Sequence, residues 1–108
     1  MPTPHGMLKD APERVARYQE AFAAPSRVLL VRILLKQSLN FHDLIEAAAL
    51  EAVGRDSVYA ALRDLARYGY VTDDAEPSKK RKPNTTVFTA NRSRITQDLT
   101  EFVAFLIG

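Results

Sequence analysis

The chain has 108 residues, of which 46% are hydrophobic and 26% are charged. These values are typical of one small globular domain and argue against intrinsic disorder. The formal net charge of +2 is too small to indicate a general affinity for acidic partners. There is no cysteine, so disulfides, thiolate metal sites and thiol redox chemistry are excluded.

Signals for targeting, cofactors and catalysis are missing from the sequence. No apolar run approaches the roughly 20 residues that span a bilayer, and we expect a cytoplasmic protein with no membrane partner. His5 and His42 stand far apart at no recognisable ligand spacing, so no metal or other cofactor is expected. An enzyme is not expected either, because no histidine lies close to a Ser/Asp pair and no glycine-rich phosphate loop is present.

The first helices can be placed from caps and apolar spacing. Residues 1–9 predict a flexible tail, and the folded domain is expected to span residues 10–108. Asp10 is the predicted N-cap of the first helix, with Pro12 inside its first turn and Pro25 ending it. A second helix from Ser26 to about Gln37 is apolar around most of its circumference, which predicts a buried central helix.

A third helix follows at residues 41–50, FHDLIEAAAL, capped by Asn40 or His42. It carries acidic residues and no basic one, so we expect it to brace the next helix rather than to face an anionic partner.

The fourth predicted helix begins after Gly54 and has two different faces. Val58, Leu62 and Leu65 recur at steps of four and three and form a stripe facing the core. Gly69 is expected to end the helix in a left-handed conformation. Such a helix suits a DNA major groove, because arginine donates in pairs to guanine, although the same face is also typical of a solvated surface. The predicted DNA-reading residues are Arg55, Asp56, Ser57, Tyr59, Arg63 and Arg67.

A basic β-hairpin is predicted after Val71. The segment TTVFTA at residues 85–90 is β-branched and aromatic, which favours a strand, and a polar loop joins it to the short extended run before it. Residues 77–94 contain six Lys or Arg and no Asp or Glu. We expect the hairpin tip to contact phosphates or a minor groove, and a solvated loop is the alternative. The tip residues are Lys79, Lys80, Arg81 and Lys82.

The last predicted helix begins near Asn91 or Ser93 and carries more apolar surface than one small core usually covers. It either packs wholly into its own domain or buries the excess against a second subunit, and we favour the second interpretation. The predicted dimer interface, drawn from this helix and the first, comprises Tyr18, Phe22, Leu99, Phe102, Val103, Leu106 and Ile107.

Two stretches resemble ArsR-type, or arsenic-repressor-like, dimeric regulators. AAPSRVLLVRILL is similar to the family's ADPTRLRILRLL helix, and SVYAALRDLARYGYV is similar to its TVSRHLKVLREAGLV. MarR-type and PadR-type regulators share the hairpin and the Leu-x-x-Leu-x-x-x-Gly pattern. The first stretch matches at Pro25, Arg27, Val28, Leu30, Arg32 and Leu34, and the second at Val58, Leu62, Leu65, Gly69 and Val71.

The resemblance implies a mainly α winged helix-turn-helix fold with about five helices and a two-stranded wing. It also implies a homodimer through the first and last helices, with two recognition helices in successive major grooves of double-stranded DNA. The chain departs from the family at LEAVGRDS, residues 50–57, where a short LGLS turn is usual, so a longer turn is predicted. The family's cysteine or His/Asp metal-sensing patterns are missing, and metal sensing is therefore not implied.

Two other functions use the same sequence features. A winged-helix module that binds an acidic protein partner accounts equally for the basic hairpin tip. A DNA-binding factor in replication or partition makes the same DNA contacts as a transcriptional regulator.

Overall fold

The computed structural model describes residues 11–75 and 85–108. The predicted tail at residues 1–9, the predicted cap Asp10 and the basic residues 79–82 lie outside these ranges. The described part is mainly helical, with a small antiparallel sheet, as expected. Its elements in chain order are α1 (Glu13–Ala21), α2 (Pro25–Lys36), β1 (Leu39–Asn40), α3 (Phe41–Ala49), α4 (Arg55–Tyr68), β2 (Val71–Asp73), β3 (Val87–Ala90) and α5 (Arg92–Ile107).

The sheet has three strands in the described residues, in the order β1-β3-β2, and not the two strands that were predicted. β2 and β3 form the expected antiparallel pair, with Val71 opposite Ala90. The additional strand is β1, in which Leu39 lies opposite Phe88. A strand of two residues is too short to show an alternating pattern, so the sequence indicated only a turn there.

The hydrophobic core forms where α2, α4 and the sheet meet. Leu30 and Leu34 of α2 are buried, which confirms the prediction of a central helix. The α4 stripe of Val58, Leu62 and Leu65 is also buried, as its spacing predicted. Burial of this stripe determines which side of α4 remains exposed.

Several predicted helix ends are confirmed, and one is wrong. The Asn40 side chain accepts a hydrogen bond from the Asp43 backbone N–H at 2.8 Å and caps α3. Gly69 ends α4 with φ 83°, a left-handed conformation that glycine adopts without a Cβ clash. The first helix, however, begins at Glu13 with Pro12 as its N-cap, so Pro12 precedes the first turn instead of lying within it.

A buried carboxylate joins three parts of the fold. Asp98 is fully buried, and its Oδ2 accepts hydrogen bonds from the Tyr70 hydroxyl at 2.7 Å and from Arg17 Nη2 at 3.0 Å. Arg17 lies on α1, Asp98 on α5, and Tyr70 follows α4. A buried charge is tolerated only when it is paired and hydrogen-bonded, so these contacts constrain how the three elements meet. The apolar pattern of the last helix does not indicate a buried charge on it.

Burial and the hydrogen bond to Asp98 raise the pKa of Tyr70 well above its ordinary value. Tyr70→Phe removes a hydrogen bond to a charged group and is expected to lower the free energy of unfolding by about 1.5–3 kcal/mol. Above about pH 10 the unfolded chain loses the tyrosine proton before the folded chain does, so the wild type should lose stability as the pH rises. This alkaline slope should be smaller in Tyr70→Phe, measured by urea unfolding from neutral pH to about pH 11.

Tyr59→Phe is the matched control, because the Tyr59 side chain is exposed. It should change the free energy of unfolding by no more than about 0.5 kcal/mol. Equal stability of Tyr70→Phe and the wild type would show that the Tyr70–Asp98 hydrogen bond does not stabilise the fold.

Candidate functional site

The outward side of α4 is the most distinctive polar surface of the described residues. All six side chains predicted to face outward from this helix are exposed, opposite the buried stripe. We call this set the α4 face: Arg55, Asp56, Ser57, Tyr59, Arg63 and Arg67. At about 100° per residue, Arg55, Tyr59 and Arg63 follow one another at steps of four, so they form a row along the helix.

The amino terminus of α4 has no side-chain cap. Gly54 is the N-cap residue, and glycine has no side chain to accept a hydrogen bond from the first turn. The backbone N–H groups of this turn, with the positive end of the helix dipole, therefore favour an anion. Ser57 supplies a hydroxyl in the same turn, whereas the Asp56 carboxylate opposes a negatively charged ligand.

Asp64 modifies the charge of the α4 face, and sequence analysis missed it. Its Oδ2 lies 3.1 Å from Arg27 Nη2 of α2. Its Oδ1 lies 3.5 Å from Arg67 Nη2 and 3.7 Å from Arg63 Nε. The spacing of Asp64 and Arg67, three residues apart on a helix, was the available signal. Asp64 therefore ties α4 to α2 and partly offsets two of the arginines predicted to read DNA.

A groove of about 600 Å³ runs beside the α4 face. Its apolar lining comes from Phe41 at the start of α3, Tyr59 and Leu62 on α4, and Phe88 on β3. The rings of Phe41 and Tyr59 meet edge to face, with centroids 6.2 Å apart and an interplanar angle of 89°. Three arginines of the α4 face also line it. Sequence analysis missed this groove because its walls come from segments that only the tertiary structure brings together.

Of the six basic residues of segment 77–94, Arg92 and Arg94 lie among the described residues. Lys79, Lys80, Arg81 and Lys82 fall outside the described residues, so their predicted contacts stay predictions. Arg92 Nη2 donates to the Leu35 carbonyl oxygen at 3.0 Å, a contact within the fold. Arg94 packs near Gly69, since a Cβ at that glycine would lie 3.5 Å from the Arg94 Cζ. Arg92 and Arg94 therefore have structural contacts with α2 and the end of α4.

The predicted interface residues separate into a covered group and an exposed group. Tyr18 packs against Phe22 and Phe102, with ring centroids 4.8 and 5.3 Å apart, and all three side chains are half-buried. The aliphatic members on α5 remain exposed to 40% at Leu99, 42% at Val103, 65% at Leu106 and 79% at Ile107. α5 therefore leaves an apolar surface outside its own core, as predicted.

Two further features bear on the expected absence of a metal site or membrane span. His42 Nε2 lies 3.2 Å from Glu46 Oε1, beside Asp43, and all three side chains are exposed on α3. Exposed groups of this kind are common without an ion. Among the described residues, no helix is both long and apolar enough to cross a bilayer.

No protein-family model matches this chain, and a search of curated proteins also finds no match. The similarity to ArsR-type regulators therefore stays a resemblance carried by the two quoted stretches.

Proposed function

We propose that this protein is a sequence-specific transcriptional regulator that binds double-stranded DNA as a homodimer through a winged helix-turn-helix fold. The observation that carries the proposal is the α4 face, where Arg55, Tyr59 and Arg63 form an exposed row opposite a buried stripe. A major groove admits one α-helix, and arginine reads guanine there through paired hydrogen bonds.

The arrangement of α3 and α4 supports this role. Residues 50–54 join the two helices, and α3 buries Leu44 and Ala48 in the core that also holds the inner stripe of α4. Ala52 in this connection has φ 60°, an uncommon conformation for a residue other than glycine. In a helix-turn-helix the first helix braces the second, which reads the groove, and α3 and α4 suit these two roles.

Phosphate contacts would come from the amino terminus of α4 and from the basic segment at residues 79–82. The uncapped first turn of α4, with the Ser57 hydroxyl, suits a phosphate of the DNA backbone. This segment consists of Lys79, Lys80, Arg81 and Lys82, which as a wing would supply affinity more than sequence choice.

A homodimer would be formed by α1 and α5. The exposed aliphatic side chains of α5 continue from the half-buried ring cluster of Tyr18, Phe22 and Phe102. A second copy of the same surface would cover both, and two-fold symmetry is the commonest arrangement for such interfaces.

One observation favours a second candidate, a winged-helix module that binds another protein. Asp56 and Asp64 offset two of the three arginines on α4, so the helix carries only a modest positive charge. Modest charge suits a protein partner as well as DNA. A role in replication or partition would use the same DNA contacts as transcriptional regulation. Measurements of DNA binding therefore distinguish a DNA-binding protein from a protein-binding module, but they do not distinguish these two DNA-binding roles.

The DNA-reading role is tested with Arg55→Ala and Arg63→Ala. Loss of an arginine that pairs with guanine should weaken binding to a selected operator by about 1–3 kcal/mol and relax the preference at one base pair. Loss of a phosphate contact should instead weaken all sequences similarly. Operators are selected from a random DNA pool, and affinities for operator and random DNA are measured by fluorescence anisotropy after circular dichroism confirms folding.

Arg32→Ala is the matched control, because Arg32 is exposed on α2 beside Tyr18 and Ile95, away from the α4 face. It should retain the discrimination between operator and random DNA. If Arg55→Ala and Arg63→Ala keep full affinity for the operator and full discrimination against random DNA, α4 does not recognise the DNA sequence. Binding of another protein then becomes the better-supported function.

The wing is tested by replacing Lys79, Lys80, Arg81 and Lys82 with glutamine. Affinity for operator and random DNA should fall alike, and the slope of log K against log salt should decrease by about 0.9 for each phosphate that the variant no longer neutralises. An unchanged salt slope would show that the basic run is a solvated loop.

The dimer is tested with Val103→Asp combined with Leu106→Asp, at exposed positions of α5. Burial of a large apolar side chain contributes about 1.5–3 kcal/mol, so two charges in the interface should yield a folded monomer by analytical ultracentrifugation. Gln97→Asp, at an exposed polar position of the same helix, is the control. A wild-type protein that sediments as a monomer at micromolar concentration contradicts the interface.

A further inference from the structure

A second groove lies between α1, α2 and α5, on residues that the proposed DNA contacts do not use. Its volume is about 440 Å³, and apolar side chains on α2 and α5, such as Val31, Leu35 and Ile95, line most of it. Within the described part of the chain, the charged residues that line it are all basic: Arg32, Lys36 and Arg92. We call this site the α2 groove. It favours a partner that brings an apolar side chain surrounded by carboxylates.

Two cations of the α2 groove are available to such a partner. Arg32 and Lys36 are exposed, and neither forms an ion pair with any of residues 11–75 or 85–108. Arg14, Arg17 and Arg27, by contrast, each pair with a carboxylate of the fold. The fold therefore leaves the positive charge of the groove without a counter-charge.

The same chain carries a matching surface at the end of α3. Leu50 follows this helix and is 87% exposed, the largest exposure of any large hydrophobic side chain that the structure describes. Two exposed carboxylates stand close to it in the sequence, Glu46 and Glu51. Glu46 lies beside His42, whereas Glu51 has no ion pair among the described residues. One apolar side chain flanked by carboxylates is the chemistry that the α2 groove favours.

Backbone hydrogen bonds hold the turn that carries Leu50. The N–H groups of Glu51 and Val53 both donate to the Ala48 carbonyl oxygen at 3.0 Å. An ordered turn loses little conformational freedom when it binds, which favours association. This turn lies where the sequence departs from the short LGLS turn of ArsR-type regulators, so the resemblance gives no role to Leu50.

We infer that two copies of this chain bind each other through these two surfaces, with Leu50 of one copy in the α2 groove of the other. The carboxylates near Leu50 then lie close to Arg32 and Lys36, and burial removes the leucine side chain from water. The two surfaces differ, so the contact is heterologous and distinct from the proposed two-fold dimer. Of the predicted dimer residues, Tyr18 and Phe22 also line the α2 groove, whereas the exposed aliphatic side chains of α5 do not.

The contact is tested with two variants of the full chain. Leu50→Lys removes the apolar side chain and adds a positive charge, while Val28→Glu combined with Lys36→Glu places carboxylates in the α2 groove. Circular dichroism first confirms the wild-type helix content, and sedimentation velocity is then measured from micromolar to millimolar protein at low salt, where charge contacts are least screened. The wild type should reach a larger weight-average mass than either variant. Equal masses overturn the inference.

An equimolar mixture of the two variants shows whether the two surfaces meet each other. Leu50→Lys keeps an intact α2 groove, and the groove variant keeps Leu50, so the mixture can form a contact that neither variant forms alone. Its weight-average mass should exceed that of either variant by itself, and added salt should reduce the difference. A mixture whose mass is the average of the two variants overturns the inference.

Gln97→Asp is the control, because it adds a carboxylate at an exposed position outside the α2 groove. It should assemble as the wild type does. The Leu50→Lys and groove variants should each remain a dimer if the α5 interface forms and a monomer if it does not, and in both cases their mixture should be larger. Leu50 and the α2 groove lie off the α4 face, so a protein that binds no DNA contradicts the proposed function and leaves this contact unaffected.

Discussion

The rest of the structure depends on the burial of Asp98. A carboxylate without access to water requires hydrogen-bond donors, and Tyr70 and Arg17 supply them to one oxygen. Among the described residues, Asp98 is the one fully buried side chain of α5. This polar contact and the packing of Phe102 on Tyr18 together hold α5 against α1 and against the segment after α4. The same placement leaves the aliphatic side of α5 exposed, and the proposed dimer would cover this surface.

The orientation of α4 follows from contacts on its two sides. On the inner side of α4, Val58 and Leu65 are buried in the core. At the carboxyl end of α4, Gly69 turns the chain, and the Tyr70 side chain that follows is buried. On another side of α4, the Asp64 carboxylate forms an ion pair with Arg27 of α2. With its rotation constrained in this way, α4 presents one row of arginine and tyrosine beside the groove that Phe41 and Phe88 help to form.

The proposed DNA contacts lie on the α4 face for a physical reason. An exposed helix that carries arginines suits the phosphates and base edges of DNA. The carboxylates of Asp56 and Asp64 partly offset the arginines of α4 and limit its attraction to any polyanion.

The sequence by itself determined the local structure: the apolar stripe of α4, the Asn40 cap, the left-handed Gly69 and the surplus apolar surface of α5 are consequences of neighbouring residues on one element. The tertiary structure alone decided the third strand, the Asp98 contacts, the Arg27–Asp64 link and the groove beside α4. Each of these joins segments far apart in the chain, such as Arg17 and Asp98, and neither periodicity nor local propensity carries information about which distant side chains meet.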